Sequence, residues 1–171
     1  YAARMDYTST PKRAIIDYSK AVFSGKKDIT WHLNKHKANF EGWTEEQYLR
    51  RARELLMEPL QLGELEEVTR SDGSVSRYCY RTNEFIATTS DGNIRTFFKP
   101  ERGKEYWKDE HDETNICPVC GKAQLEYMEI CPVCEWQNDL VQLRHPDWQG
   151  GANVMSLQQA RKAYQAGQPI K

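Results

Sequence analysis

Two short turns repeat in the C-terminal third of the chain. One is Cys117-Pro118-Val119-Cys120-Gly121; nine residues later comes Cys131-Pro132-Val133-Cys134. No other feature restricts the fold as much. Thiolates two residues apart can grip one ion while the backbone N–H groups of the turn point back at the sulfurs. Proline presets each turn, and the glycine after Cys120 permits a left-handed backbone. Four such thiolates make a closed tetrahedral zinc site, which is structural because no coordination position is left for water or substrate. Two disulfides, or a C-x-x-C redox pair, would use the same residues. Twin turns with no long helical pattern after either argue against the redox pair. The fifth cysteine, Cys79, falls in a strand-like run and reads as a small core residue.

The 171 residues suffice for one ordinary domain plus a small one. A net charge of -1 and a pI near 6.5 give no whole-chain case for nucleic acid. The charge is uneven, however. Residues 1–37 carry eight Lys/Arg against three Asp/Glu, and residues 101–171 carry eight against eleven. A positive N-terminal surface and a mildly acidic C-terminal part are expected. No stretch approaches ~18 apolar residues, so no membrane span is expected, and no signal peptide is visible. Tyr1 suggests a fragment or a processed piece. Cysteines in a metal pattern fit a reducing compartment.

Hydrophobic period places the elements. Residues 9–25 read as a helix with Thr10 as cap, Pro11 in the first turn, Gly25 at the end, and Ile15, Tyr18 and Val22 on one face. Residues 30–40 read as a second helix anchored by Trp31 and Phe40. Thr44-Glu45-Glu46-Gln47 is a capping box opening a third helix, which stops at Pro59 and buries Tyr48, Ala52, Leu55 and Leu56. The period then changes to two. Strands are predicted over 64–70, 74–81, 83–90 and 93–99, with turns at Asp72-Gly73 and Asp91-Gly92. In the last strand Ile94, Thr96 and Phe98 should share one face, and Arg95, Phe97 and Lys99 the other. Helices followed by a meander imply an α+β fold, with N-terminal helices packed on a four-stranded antiparallel sheet. The predicted division is a domain over 1–107, a charged linker over 108–115, and a zinc module over 116–171 that ends in a helix opened by Ser156-Leu157-Gln158-Gln159. Tyr106 and Trp107 are candidates to dock on the first domain.

His32, Lys35 and His36 are the first candidates for chemistry. Positions i and i+4 share a helical face, an imidazole titrates near neutrality, and a lysine can hold phosphate charge. Half-exposed surface histidines on a basic helix would look the same. A zincin-like metal site would need glutamate where Leu33 stands. The sheet adds Arg77, Arg81, Thr82, Asn83, Arg95, Thr96 and Lys99, which could line a phosphate groove or form a solvated face. Histidines, cations and hydroxyls without an acidic magnesium cluster suit metal-independent RNA cleavage. In that reaction a base deprotonates a ribose 2′-OH, an acid protonates the leaving oxygen, and cations stabilise the transition state. Only RNA carries the internal nucleophile.

Two resemblances follow from these residues. Residues 116–166 resemble the cysteine-rich CPCC domain, a zinc-ribbon-like bacterial module. The match lies in the two cysteine motifs, Glu135-Trp136, Gly150-Gly151-Ala152-Asn153, Ser156-Leu157, Ala160-Arg161 and Tyr164. The sequence departs from it at Val119 and Val133, where the family name implies a further cysteine in the first motif. Residues 30–107 resemble the nuclease superfamily of barnase, EndoU, colicin tRNases and RelE, in particular toxin tips of polymorphic and contact-dependent inhibition systems. That match lies in His32 to His36, Thr44 to Leu49, Asp72-Gly73, Arg77-Tyr78, Asn83-Glu84-Phe85 and Asp91 to Pro100. It implies helices on a four-stranded sheet and RNA, often tRNA, as substrate.

The expected function is therefore a bacterial toxin endoribonuclease. His36 or His32 would be acid/base, Lys35 and Arg81 phosphate cations, Asn83 and Thr96 positioning groups, and Arg77, Arg95 and Lys99 substrate contacts. Glu84, the one nearby match to a barnase-type base, ranks below the histidines. Structural Zn2+ at Cys117, Cys120, Cys131 and Cys134 would be the only cofactor. Partners would be RNA and a cognate immunity protein, acidic where it covers the basic cleft. Action would be in the cytoplasm of a target bacterium after delivery from the producing cell. The alternative is a non-enzymatic zinc-containing RNA- or protein-binding module. An ADP-ribosyltransferase lacks its paired glutamates here, and a zinc hydrolase would need an open coordination position.

Overall fold

The computed structural model describes residues 16–108 and 115–170, and the chain divides after Phe98 into two units. The sequence placed that division after 107. Residues 99–107 belong instead with the C-terminal unit, where the Tyr106 hydroxyl donates to the Asp139 carboxylate at 2.7 Å. Most of the expected linker, residues 109–114, lies outside the described residues.

In the N-terminal unit, α1 spans Ile29–Lys35 and α2 spans Glu45–Met57. The Thr44–Gln47 capping box is formed, and α2 buries Tyr48, Ala52, Leu55 and Leu56, as the spacing predicts. Helix α1 is shorter than expected. It starts after the Asp28 cap and ends at Lys35, so His36 is its C-cap and 37–40 are turns and bends. The first predicted helix differs more. Residues 9–15 lie outside the described residues, and 16–25 hold only a 3-10 turn at Tyr18–Lys20, capped by Asp17. Beyond it the backbone extends. Ile94 N–H donates to Val22 O at 2.8 Å and Ser24 N–H to Ile94 O at 3.0 Å. Phe23 thereby pairs in parallel with Ile94, covering a strand edge that would otherwise be open. Val22 is exposed, not part of a buried helical face.

The sheet is an antiparallel meander in chain order: β1 (Leu65–Thr69), β2 (Val75–Cys79), β3 (Glu84–Thr88) and β4 (Ile94–Phe98). Gly73 and Gly92 supply the positive φ, 93° and 88°, at the first and last hairpin turns. One strand face packs on α2, where Leu55, Ile86 and Phe97 share a core with Tyr48 and Phe40. The Tyr48 hydroxyl donates to the Phe97 carbonyl beneath it. The strict alternation expected for β4 fails. Ile94 pairs with Thr88 but Thr96 pairs with Ala87, and a register shift separates them. The extra residue puts Ile94 and Phe97 in the same helix-side core.

In the C-terminal unit, α3 spans Lys104–Lys108, and β5 (Asn115–Ile116) pairs antiparallel with β6 (Gln124–Leu125). Helix α4 spans Leu140–Arg144 and α5 spans Leu157–Gln165. The predicted Ser156–Gln159 capping box is present, and α5 is followed by Gly167 at φ 69°. Leu125, Trp136, Leu157 and Ala160 pack against the cysteines. Among the described residues no helix is long and apolar enough to cross a membrane.

Candidate metal centre

Each cysteine turn folds as a tight knuckle. Gly121 N–H donates to Cys117 O and Glu135 N–H to Cys131 O, both at 2.9 Å. Cys117 N–H reaches Ala123 O and Cys131 N–H reaches Trp136 O, both at 2.8 Å, which closes the loop after each turn. The turn amides face the sulfurs: Val119 and Cys120 toward Cys117, Val133 and Cys134 toward Cys131. This is the screening of thiolate charge expected from the motif.

The two knuckles bring Cys117, Cys120, Cys131 and Cys134 together with all four Sγ atoms within 4.8 Å of one another. Cys117 and Cys134 are 3.6 Å apart, as are Cys120 and Cys131. Tetrahedral ligands at 2.3 Å from one ion would be about 3.8 Å apart, so the cluster can hold a metal. The hydrogen bond between Cys117 and Cys134 holds the Cys117 thiol down to about 5 and pushes Cys134 up. Burial raises Cys131. Three sulfurs are buried and Cys120 is half-buried.

Residues 115–167 match the family model described as Cysteine-rich CPCC. The chain matches none of the curated proteins. The CPCC segment contains both knuckles, the β5–β6 pair, α4 and α5.

The other candidate residues are distributed differently. His32 and His36 do share a helical face, with His36 N–H donating to His32 O at 3.1 Å. Both rings, however, lie inside the protein, 0 % and 3 % exposed, rather than half-exposed on a basic surface. His32 packs on Phe23 at 4.8 Å between centroids, and His36 stacks on Phe98 at 5.1 Å. Burial first, and Lys35 second, lower both imidazoles, His32 to about 3. Lys35 lies over the Trp31 ring at 4.7 Å. Thr96 is fully buried.

Arg77 and Arg81 are engaged by groups of their own unit. Arg77 donates to Glu67 at 2.9 Å and to the carbonyls of Leu55 and Glu58 at 3.0 and 2.7 Å. A guanidinium at the C-terminal end of α2 satisfies carbonyls that have no partner in the helix and meets the negative end of its dipole. Arg81 pairs with the Glu58 carboxylate at 2.7 Å. Asn83 holds a positive φ of 54° and accepts from the Tyr78 hydroxyl at 2.6 Å, a turn role. Arg95 and Arg70 are the cations near Asp72. They and the Ser74 hydrogen bonds outweigh burial and lower that carboxyl. Lys99 falls in the C-terminal unit. Glu84 is buried and held by Arg51 through contacts of 2.6 to 3.1 Å, with the Thr82 hydroxyl donating at 2.6 Å.

Sequence reasoning missed a buried polar hub within the CPCC segment. Asp139 Oδ1 accepts from the N–H groups of Val141 and Gln142, and Oδ2 from Tyr106 and Ala152. Burial raises this carboxyl, against those four donors. Asn153 bridges Gln137 and Gln142 through its amide. The clues, Gln137-Asn138-Asp139 and Gly151-Ala152-Asn153, read locally as loop composition.

Proposed function

We propose that residues 115–167 hold one structural zinc ion through Cys117, Cys120, Cys131 and Cys134, and that the protein acts as a zinc-containing binding module rather than a hydrolase. One observation carries this: four sulfurs converge within 4.8 Å, and among the described residues no histidine or carboxylate joins that cluster. Four soft thiolates suit a tetrahedral d10 ion and leave it no open position. Bound there, the ion would cross-link the two knuckles, and its binding free energy would add to the stability of the folded module. The N-terminal unit is consistent with binding rather than chemistry, because both imidazoles sit in the core and Arg77 and Arg81 are in ion pairs. With four Lys/Arg against five Asp/Glu over residues 115–167, the module lacks the basic excess that RNA calls for and suits a protein partner better. The test is metal analysis of the purified chain: one zinc per chain, lost in Cys131→Ser together with cooperative unfolding of the C-terminal unit. A metal-free protein with an unchanged unfolding profile would refute the proposal.

One observation favours the toxin ribonuclease as a second reading. Both ring nitrogens of His32, Nε2 of His36 and Oγ1 of Thr96 are buried without a hydrogen-bond partner. Natural cores seldom leave such groups unsatisfied unless they have a task. A gel of RNA incubated with the protein in EDTA decides. Cleavage that disappears in His32→Ala plus His36→Ala restores the hydrolase, its RNA substrate and the need for an immunity protein. Intact RNA leaves the binding module.

A further inference from the structure

We infer that the four thiols form a redox switch with one fixed pairing: oxidation joins Cys117 to Cys134 and Cys120 to Cys131, across the knuckles and not within either. The release of metal in this inference rests on the zinc reading above; the pairing rests on the sulfur positions.

Each cross-knuckle pair already stands at 3.6 Å, so a disulfide needs an approach of about 1.5 Å. Within a knuckle the first sulfur is tied to its own turn, as in the 3.4 Å contact from Val133 N–H to Cys131 Sγ. The within-knuckle pairs share the same 4.8 Å cluster and Cys120 also faces Cys117, but both 3.6 Å contacts run across the knuckles. The two cross-knuckle bonds are nested: Cys120–Cys131 closes the inner loop and Cys117–Cys134 the outer one, so both can form in one chain.

Access sets the order. Cys120 is half-buried, whereas the other three thiols of the cluster are buried. The oxidant, by class a peroxide, meets Cys120 first. The Cys120 thiolate attacks one peroxide oxygen and the O–O bond breaks. Cys120 becomes a sulfenic acid, and hydroxide leaves as the reduced product. The Cys131 thiolate then attacks the Cys120 sulfur, the S–S bond forms and a second hydroxide departs. A second peroxide takes Cys117 and Cys134 through the same two steps. In sum four thiolates and two peroxides give two disulfides and four hydroxides. With no thiolate left, the site no longer holds an ion. Cys79, fully buried in the N-terminal unit, stays a thiol.

The test uses the full chain, purified under reducing conditions, with its zinc content measured first. Hydrogen peroxide is then titrated while zinc release is read with a chromogenic chelator. Linked peptides are mapped without reduction, using electron-based fragmentation to assign each sulfur. The expected result is one zinc released per chain, Cys117–Cys134 and Cys120–Cys131 as the links, a free Cys79, and full recovery with a dithiol reductant. Links within a knuckle, the other cross pairing, links between chains, or zinc retained against excess peroxide each overturn the switch and leave the zinc reading intact. Protein that carries no zinc from the start overturns the zinc reading instead. The same mapping on that reduced protein then tests the pairing alone.

Discussion

Gly121 and Glu135 occupy the same position in the two knuckles, one residue past the second cysteine, and hold the same left-handed backbone, φ 69° and 70°. Glycine takes this conformation without penalty, whereas an L side chain costs about 1–2 kcal/mol there, offset in part by the greater chain entropy glycine loses on folding. Glu135→Gly should therefore stabilise the metal-loaded C-terminal unit by about 0.5 kcal/mol, or ~2–4 °C in thermal midpoint. Gly121→Ala should destabilise it, although a Cβ there meets nothing within 4 Å. Thermal unfolding of both variants checks this; a lower midpoint for Glu135→Gly contradicts the equivalence.

Arg51 neutralises Glu84, a carboxylate with only 3 % of its side chain exposed. Removing one partner strands a buried charge, so Arg51→Met should cost about 3 kcal/mol. Adding Glu84→Leu removes the stranded charge and should recover most of that loss. Urea unfolding of the single and double variants reads both numbers. A double variant no more stable than the single would show that the ion pair is not the source.

Acid should loosen the N-terminal unit. His32 and His36 are neutral in the fold, held down mainly by burial, His32 to about 3, while an unfolded chain takes up their protons near 6.5. Their stability contribution is complete above pH 6.5 and is lost as pH falls below it, for His32 down to about 3. The loss is at most about 1.4 kcal/mol per pH unit for each ring. Urea midpoints at pH 7.5 and pH 5 measure the loss. His32→Leu, with no ring to protonate, should show a flatter pH dependence. Equal slopes for the variant and the parent would assign the acid sensitivity to other groups.

Gly151 leaves no room for a methyl group. A Cβ there would stand 2.6 Å from Asp139 Oδ2 and 2.9 Å from the Gln142 side chain. Neither can yield easily, since Asp139 accepts four hydrogen bonds and Gln142 donates to the carbonyls of Trp148, Asn153 and Met155. Gly151→Ala should cost about 1–3 kcal/mol, a typical overpacking penalty. Hydrogen exchange at the Ala152 and Val141 amides should accelerate; unchanged protection would mean the hub absorbs the methyl.

Elements whose cause is local were legible in the chain. The capping boxes at Thr44 and Ser156, the buried stripe of α2, the hairpin glycines and the meander all follow from spacings of a few residues. The short 3-10 turn at Tyr18–Lys20 was not, because a parallel contact with Ile94, far along the chain, draws the following residues into an extended edge. The bulge in β4 was hidden for a similar reason: register belongs to a pair of strands, not to one.

The cysteine cluster was determined by the sequence itself. Two C-P-V-C turns fix where their sulfurs point within a single knuckle, and only one docking event is needed to assemble four ligands. Tertiary structure alone decided the fate of the histidines and arginines. An i, i+4 pair states which side of a helix two rings share, but not whether that side meets water or Phe23 and Phe98. Burial and ion pairing depend on residues distant in sequence, and spacing along the chain carries no record of them.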